Sequence, residues 1–270
     1  MAATSFVATK EHRRFIEFAD AVRRQRTIGI CFGQAGIGKT LSARHYANWN
    51  KAADLLEQWG PRDDSDFQVY AALARRRTVF YTPGVLTTPK ELRTEINDLT
   101  LRVSLCIDQQ LYKTAQKAGP GTSASKNVEL IIIDESERLG PTALELIRDR
   151  FDRDNIALIL IGMPGIEKQF SRYAQLYSRV GFAHEYRPLS GEELRFVLDR
   201  RWHRLGQDLN PDDFTDSQAV AAIARITRGN FRLIDRLFTQ MERVMRINEL
   251  TAITDDVVEP ARSTLVIGIS

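Results

Sequence analysis

Residues 33–40, Gly33, Gln34, Ala35, Gly36, Ile37, Gly38, Lys39 and Thr40, follow the spacing G-x-x-x-x-G-K-[ST]. Each residue type there suits the binding of a nucleotide's phosphates. Glycines let main-chain N–H groups turn towards phosphate oxygens with no Cβ in the way. A helix that begins at the motif presents its own N–H groups to the same anion. The Lys39 ammonium is placed to reach the β- and γ-phosphates and the Thr40 hydroxyl to meet Mg²⁺, and Leu41 completes the nucleotide-binding stretch. The flanks fit this use. Thr27, Ile28, Gly29, Ile30, Cys31 and Phe32 read as a buried strand, and Leu41 to Ala47 as the start of a helix.

A second pair of residues could complete the chemistry. The run Val128, Glu129, Leu130, Ile131, Ile132, Ile133 is apolar at almost every position, as a central parallel strand covered on both faces would be. It ends in Asp134 and Glu135. Two acids at a strand end can simply be solvated. Beside a phosphate loop, Asp134 would support Mg²⁺ with Thr40, and Glu135 would orient the attacking water or accept its proton. Glu135 and Lys39 are therefore the expected catalytic residues of this chain.

These residues need a sheet to position them, and the patterning supplies one. A helix over 11–25, with Phe15, Phe18, Ala19 and Val22 on one face, precedes the first strand. Residues 40–74 read as helical with an interruption at Gly60 and Pro61, and 77–82 as a second strand. Thr88, Pro89 and Glu91 open a long helix with a capping box, and its stripe runs through Leu92, Ile96, Leu99, Val103, Cys106 and Leu111. A Gly/Ser-rich loop at 119–127 leads to the third strand. A fourth strand spans 156–161 and a weaker fifth 182–186, with a helix ending at Tyr177 between them. Strands alternating with helices predict an α/β fold, a five-stranded parallel sheet with helices on both faces. From Ser190 only helical patterning remains. Ser190 and Glu193 form a second capping box, and further helices follow at Val220, Ile223 and Ile226 and at Leu233, Leu237, Met241 and Val244. The expected divisions are an amino-terminal helical segment (1–26), a P-loop α/β core (27–187) and a helical lid (188–270).

Composition narrows the class. The chain has 270 residues, 43% hydrophobic and 27% charged, as in an ordinary soluble protein. No apolar run reaches the length of a membrane helix, and the first residues lack the pattern of a signal peptide. Two cysteines in apolar surroundings, Cys31 and Cys106, suggest reduced core thiols and a cytoplasmic location. A net charge of +3 does not by itself mark a nucleic-acid binder, although arginines cluster at 13–14, 23–26, 75–77 and 200–204.

The order of motifs resembles an AAA+ ATPase, and within that class the transposition regulators of the TnsC, TniB and Mu B type. The residues that carry the likeness are 33–40, 130–139, 159–162, Leu176-Tyr177-Ser178-Arg179-Val180 and Gly229-Asn230-Phe231-Arg232. The resemblance implies roles for several of them. Arg179 falls where such proteins place an arginine finger that completes a neighbour's site, with Arg172 as a second candidate, and Arg232 falls at sensor 2. Val7 and Thr9 fall near the adenine. One departure is clear: Gly162, Met163 and Pro164 stand where a polar sensor 1 is usual, which implies slow hydrolysis. The resemblance further implies head-to-tail assembly into a hexameric ring or helical filament on duplex DNA, with a transposase and a target selector as partners. Lys90, Arg93, Arg102, Lys113 and Lys117 are the candidates for contacts to DNA phosphates. An initiator- or loader-like AAA+ protein and a signalling P-loop ATPase that does not bind DNA are the alternative readings.

Overall fold

The computed structural model describes residues 6–58, 60, 63–115 and 127–265. Lys117 and most of the Gly/Ser-rich stretch lie outside the described residues. The chain separates into two compact units. One comprises Arg14–Gly33 and Lys39–Tyr186; the other takes the described residues up to Arg13, Gln34–Gly38, and those from Arg187 on.

The first unit holds a parallel sheet of five strands, β1 (Ile28–Phe32), β2 (Thr78–Tyr81), β3 (Leu130–Ile133), β4 (Ala157–Gly162) and β5 (Val180–Glu185), in the order β2-β3-β4-β1-β5. Every residue of β2, β3 and β4 is buried, which explains their unbroken apolar or aromatic runs. At the edge, β5 alternates half-buried and exposed residues and so reads weakly in sequence. Register aligns the carboxyl ends. Ile133 pairs with Tyr81 on one side and Leu160 on the other, and Phe32 pairs with Gly162 and Glu185. The loops after β1, β3 and β4 therefore leave the sheet along one rim, where open α/β sheets bind ligands.

Helix α1 (Lys10–Gln25) lies on β1 at Gly29, where a Cβ would come within 2.6 Å of Val22 Cγ2 and 2.7 Å of Phe18 Cζ. Phe18 also stacks on His184 of β5. The described residues of 39–76 include α2 (Lys39–Tyr46), α3 (Trp49–Glu57), a short 3-10 turn (Asp64–Asp66) and α4 (Phe67–Arg76). Helix α5 (Pro89–Ala115) begins with the expected capping box: Glu91 N–H donates to Thr88 Oγ1, and Thr88 N–H to Glu91 Oε2. Its stripe departs from expectation at the far end, where Ile107 is buried and Leu111 exposed. Helix α6 (Pro141–Asp154) follows β3. The helix expected to end at Tyr177 is two short ones, α7 (Ile166–Phe170) and α8 (Ala174–Tyr177).

The second unit packs α9 (Gly191–Arg204), α10 (Phe214–Thr227), α11 (Phe231–Ile247) and α12 (Asp255–Ser263) around Trp202, Ile223, Leu237, Met241 and Val257. Helix α12 escaped sequence reading because Pro260 lies inside it. Burial of Val257, Val258 and Ala261 overrides that local signal. The capping box expected at Ser190 does not form: the Ser190 side chain makes no cap hydrogen bond, and Glu193 Oε1 accepts from Glu11 N–H instead.

Candidate nucleotide-hydrolysis site

The turn after β1 follows the motif. Gly36 and Gly38 adopt φ of 79° and 113°, conformations that side chains resist. Lys39 opens α2, is buried, and donates through Nζ to Gly33 O. Thr40 is exposed, and its hydroxyl donates to Asp134 Oδ2 at 2.6 Å. The other Asp134 oxygen accepts from the Glu135 N–H at 3.0 Å. Burial pushes the Asp134 carboxyl above its ordinary range, opposed by the hydrogen bonds from Thr40 and Glu135. A buried carboxylate held in this way gains from a nearby cation.

Oxygen donors of this kind fit Mg²⁺, which usually takes one or two carboxylates and keeps several waters or phosphate oxygens. Among the described residues no group of three or more His, Cys, Asp or Glu forms a metal cage. Thr40 and Asp134, joined through the Thr40 hydroxyl, are oxygen donors that could hold such an ion.

Glu135 stands in the left-handed region, at φ 50° and ψ 43°, as the cap of a short turn over Ser136–Arg138. Other helix-end residues, Asn48, Arg77, Asn155 and Arg228, share this conformation, so it reflects the local cap geometry. Its carboxylate is ion-paired with Arg138, whose Nη1 also donates to Pro83 O at 2.6 Å beyond the end of β2. The absence of a polar side chain at Met163 is matched by a neighbour that sequence reasoning missed. A Cβ on Gly162 would lie 2.7 Å from Glu137 Oε2, so a carboxylate borders the end of β4. No spacing rule points to Glu137; the turn after β3 brings it there.

Arg179 lies at the other end of the strands. Its carbonyl accepts from the Ile28 N–H at 3.0 Å and from Thr27 Oγ1 at 2.8 Å, at the amino end of β1. Its guanidinium grips Asp152 through Nε to Oδ1 (2.5 Å) and Nη2 to Oδ2 (2.7 Å), which holds the Asp152 carboxyl below its ordinary range. Gly33 follows the far end of β1, roughly 16 Å away by the rise of a five-residue strand. Arg172 is exposed between α7 and α8.

In the second unit, Arg232 is exposed and its main-chain N–H donates to Gly36 O at 3.0 Å. Thr9 is buried and caps α1, its Oγ1 accepting from His12 N–H, while Val7 packs against the helical core. The basic residues suggested for DNA do not stay together. Lys90 and Arg93 are exposed on the first turns of α5. Arg102 instead donates to Leu56 O at 2.6 Å, and Lys113 sits over the Phe67 ring, 3.4 Å from its centroid.

The chain is similar to known proteins. Residues 22–170 match the family described as AAA domain, and the chain belongs to that family. It is an AAA+ ATPase. A protein of Staphylococcus aureus named "Potential ATP-binding protein" is 46% identical over 272 residues, covering 98% of each chain. The fold is similar to that of the Thermotoga maritima RuvB Holliday junction branch migration motor, with a TM-score of 0.56 at 16% identity over 95% of this chain and 69% of that one. It is also similar to Cdc6p from Pyrobaculum aerophilum, with a TM-score of 0.56 at 13% identity over 100% of this chain and 71% of that one. Among the described residues no helix is long and apolar enough to cross a membrane.

Proposed function

We propose that this chain binds ATP with Mg²⁺, assembles head to tail on duplex DNA, and regulates transposition by recruiting or activating a transposase until hydrolysis releases the assembly. The observation that carries the assembly is the place of Arg179, a strand's length from the phosphate loop of its own chain. An arginine there is useful to a γ-phosphate only in a neighbour, and a head-to-tail interface repeats into a ring or filament. Within one chain Lys39 neutralises phosphate charge, Thr40 and Asp134 hold Mg²⁺, and Glu135 orients the attacking water. The ion, when bound, stabilises charge on the phosphates. The 46% identical relative's name supports the ATP part of this reading.

Support for DNA is local. Lys90 and Arg93 share an exposed helix start with the preceding loop, where Val85 is 80% and Leu86 90% exposed. Basic residues beside apolar tips suit phosphate tracking with partial wedging between bases. A second reading, a loader or motor on DNA junctions, is favoured by the likeness of fold to RuvB.

The test is imaging of the protein with duplex DNA and a non-hydrolysable ATP analogue. Filaments or rings around DNA that need the analogue are expected. Particles that ignore DNA at low salt would overturn the DNA reading, and junction migration driven by ATP would favour the motor.

A further inference from the structure

Gln34–Gly38 and the carboxy-terminal helices belong to one compact unit, and the start of α11 holds those loop residues by two hydrogen bonds. Asn230 Nδ2 donates to Ala35 O at 2.8 Å, and the Arg232 N–H donates to Gly36 O at 3.0 Å. Asn230 is also the N-cap of α11, its Oδ1 accepting from the Leu233 N–H at 3.2 Å. The amide carries acceptor and donor on separate atoms, so one side chain caps the helix and grips the loop. The approach is tight. A Cβ on Gly36 would lie 2.7 Å from Asn230 Oδ1 and 2.8 Å from Arg232 Cβ. The phosphate-loop motif leaves this position open; its φ of 79° and the contact with α11 both favour glycine there.

Peptide geometry turns this grip into a consequence for ligand binding. The described peptides are all trans, and in a planar trans peptide the C=O and the following N–H point in opposite directions. Anchoring Ala35 O and Gly36 O on α11 therefore directs the N–H groups of Gly36 and Ile37 to the opposite side of the loop. Successive N–H groups on one side of a turn are what bind phosphate oxygens. We propose that Asn230 is a positioning residue for nucleotide binding, holding the peptide after Ala35, beside the one after Gly36 that the Arg232 N–H holds, with its N–H turned to the phosphates. The proposal rests on residues 33–40 being the ATP loop.

The experiment titrates the full chain with a fluorescent ATP analogue and records thermal melting without nucleotide, for Asn230→Asp, Asn230→Ser and Lys39→Ala. Asp and Ser both cap helices well. Ionised Asp has no donor for Ala35 O, and the Ser hydroxyl is too short to serve both partners. Because Ser is neutral, it separates the lost grip from charge repulsion. Both Asn230 variants should bind the analogue about tenfold more weakly, the effect of one hydrogen bond, with melting within about 2 °C of the parent. Parent-like affinity in Asn230→Ser overturns the proposal. So does weakening matched by a large fall in melting temperature, which would reduce Asn230 to a helix cap. If Lys39→Ala binds normally, the ATP-loop reading itself fails; if Lys39→Ala fails to bind while both Asn230 variants bind normally, only the role of Asn230 does.

Discussion

The two carboxylates that end β3 differ in their surroundings and so in what substitution does. Asp134 is buried, with its pKa raised by desolvation. A raised folded-state pKa makes the ionised carboxyl a cost to stability above that pKa, and the cost fades as pH falls below it. Asp134→Asn keeps partners for Thr40 and the Glu135 N–H, so we expect melting to rise by about 2–4 °C near pH 8, with the gain shrinking towards pH 4. Mg²⁺-dependent hydrolysis should be lost in the same variant. Equal melting at both pH values would show that desolvation of Asp134 is immaterial. Glu135 is partly exposed and paired with Arg138. Glu135→Gln should retain ATP binding and lose about 10²–10⁴ in turnover, as removal of a general base does. Normal turnover would assign the base elsewhere. Lys39→Ala should weaken ATP about 10- to 100-fold, the loss of a charge-assisted bond.

At the scale of elements, close main-chain approach does much of the positioning. Gly229 adopts φ 73°, and a Cβ there would fall 1.9 Å from Leu189 O. Gly229→Ala should lower unfolding free energy by about 3 kcal/mol through overpacking and backbone strain, read by urea denaturation of the full chain. A change within 0.5 kcal/mol, about the scatter of neutral surface substitutions, would count against that contact. Such contacts are invisible in one sequence, because nothing marks which glycine faces another chain segment. The strands were legible because burial on both faces demands unbroken apolar runs. Helix α12 was not legible, since its support comes from α10 and α11 rather than from its own residues. The Ser190 box failed because Glu193 has another donor nearby in Glu11.

For the molecule as a whole, the sharpest consequence concerns completeness of the site. Arg179→Ala should bind ATP with parent affinity yet hydrolyse slowly in the assembled state, while Lys39→Ala supplies an intact arginine and, at ATP concentrations below its weakened affinity, a loop left largely unfilled. Mixed in equal amounts, the two inactive variants should recover about a quarter of parent activity, because half of the loops and half of the arginines are intact in random head-to-tail contacts. No recovery in ATPase assays of the mixture would place Arg179 outside the neighbour's site. The bidentate pair with Asp152 must open for the arginine to act, so Asp152→Asn should raise turnover of the assembled protein.

The sequence by itself determined the phosphate loop, the acidic strand end and the parallel α/β core. Each depends on local spacing: glycines at fixed steps, a lysine and a hydroxyl after them, apolar runs that only a covered sheet accepts. Only the tertiary structure decided which charges are already engaged. Asp152 on Arg179, Phe67 under Lys113 and Asn230 on Ala35 are all contacts between positions distant in the chain. Their pairing follows from packing in three dimensions, which residue types and intervals along a chain do not record.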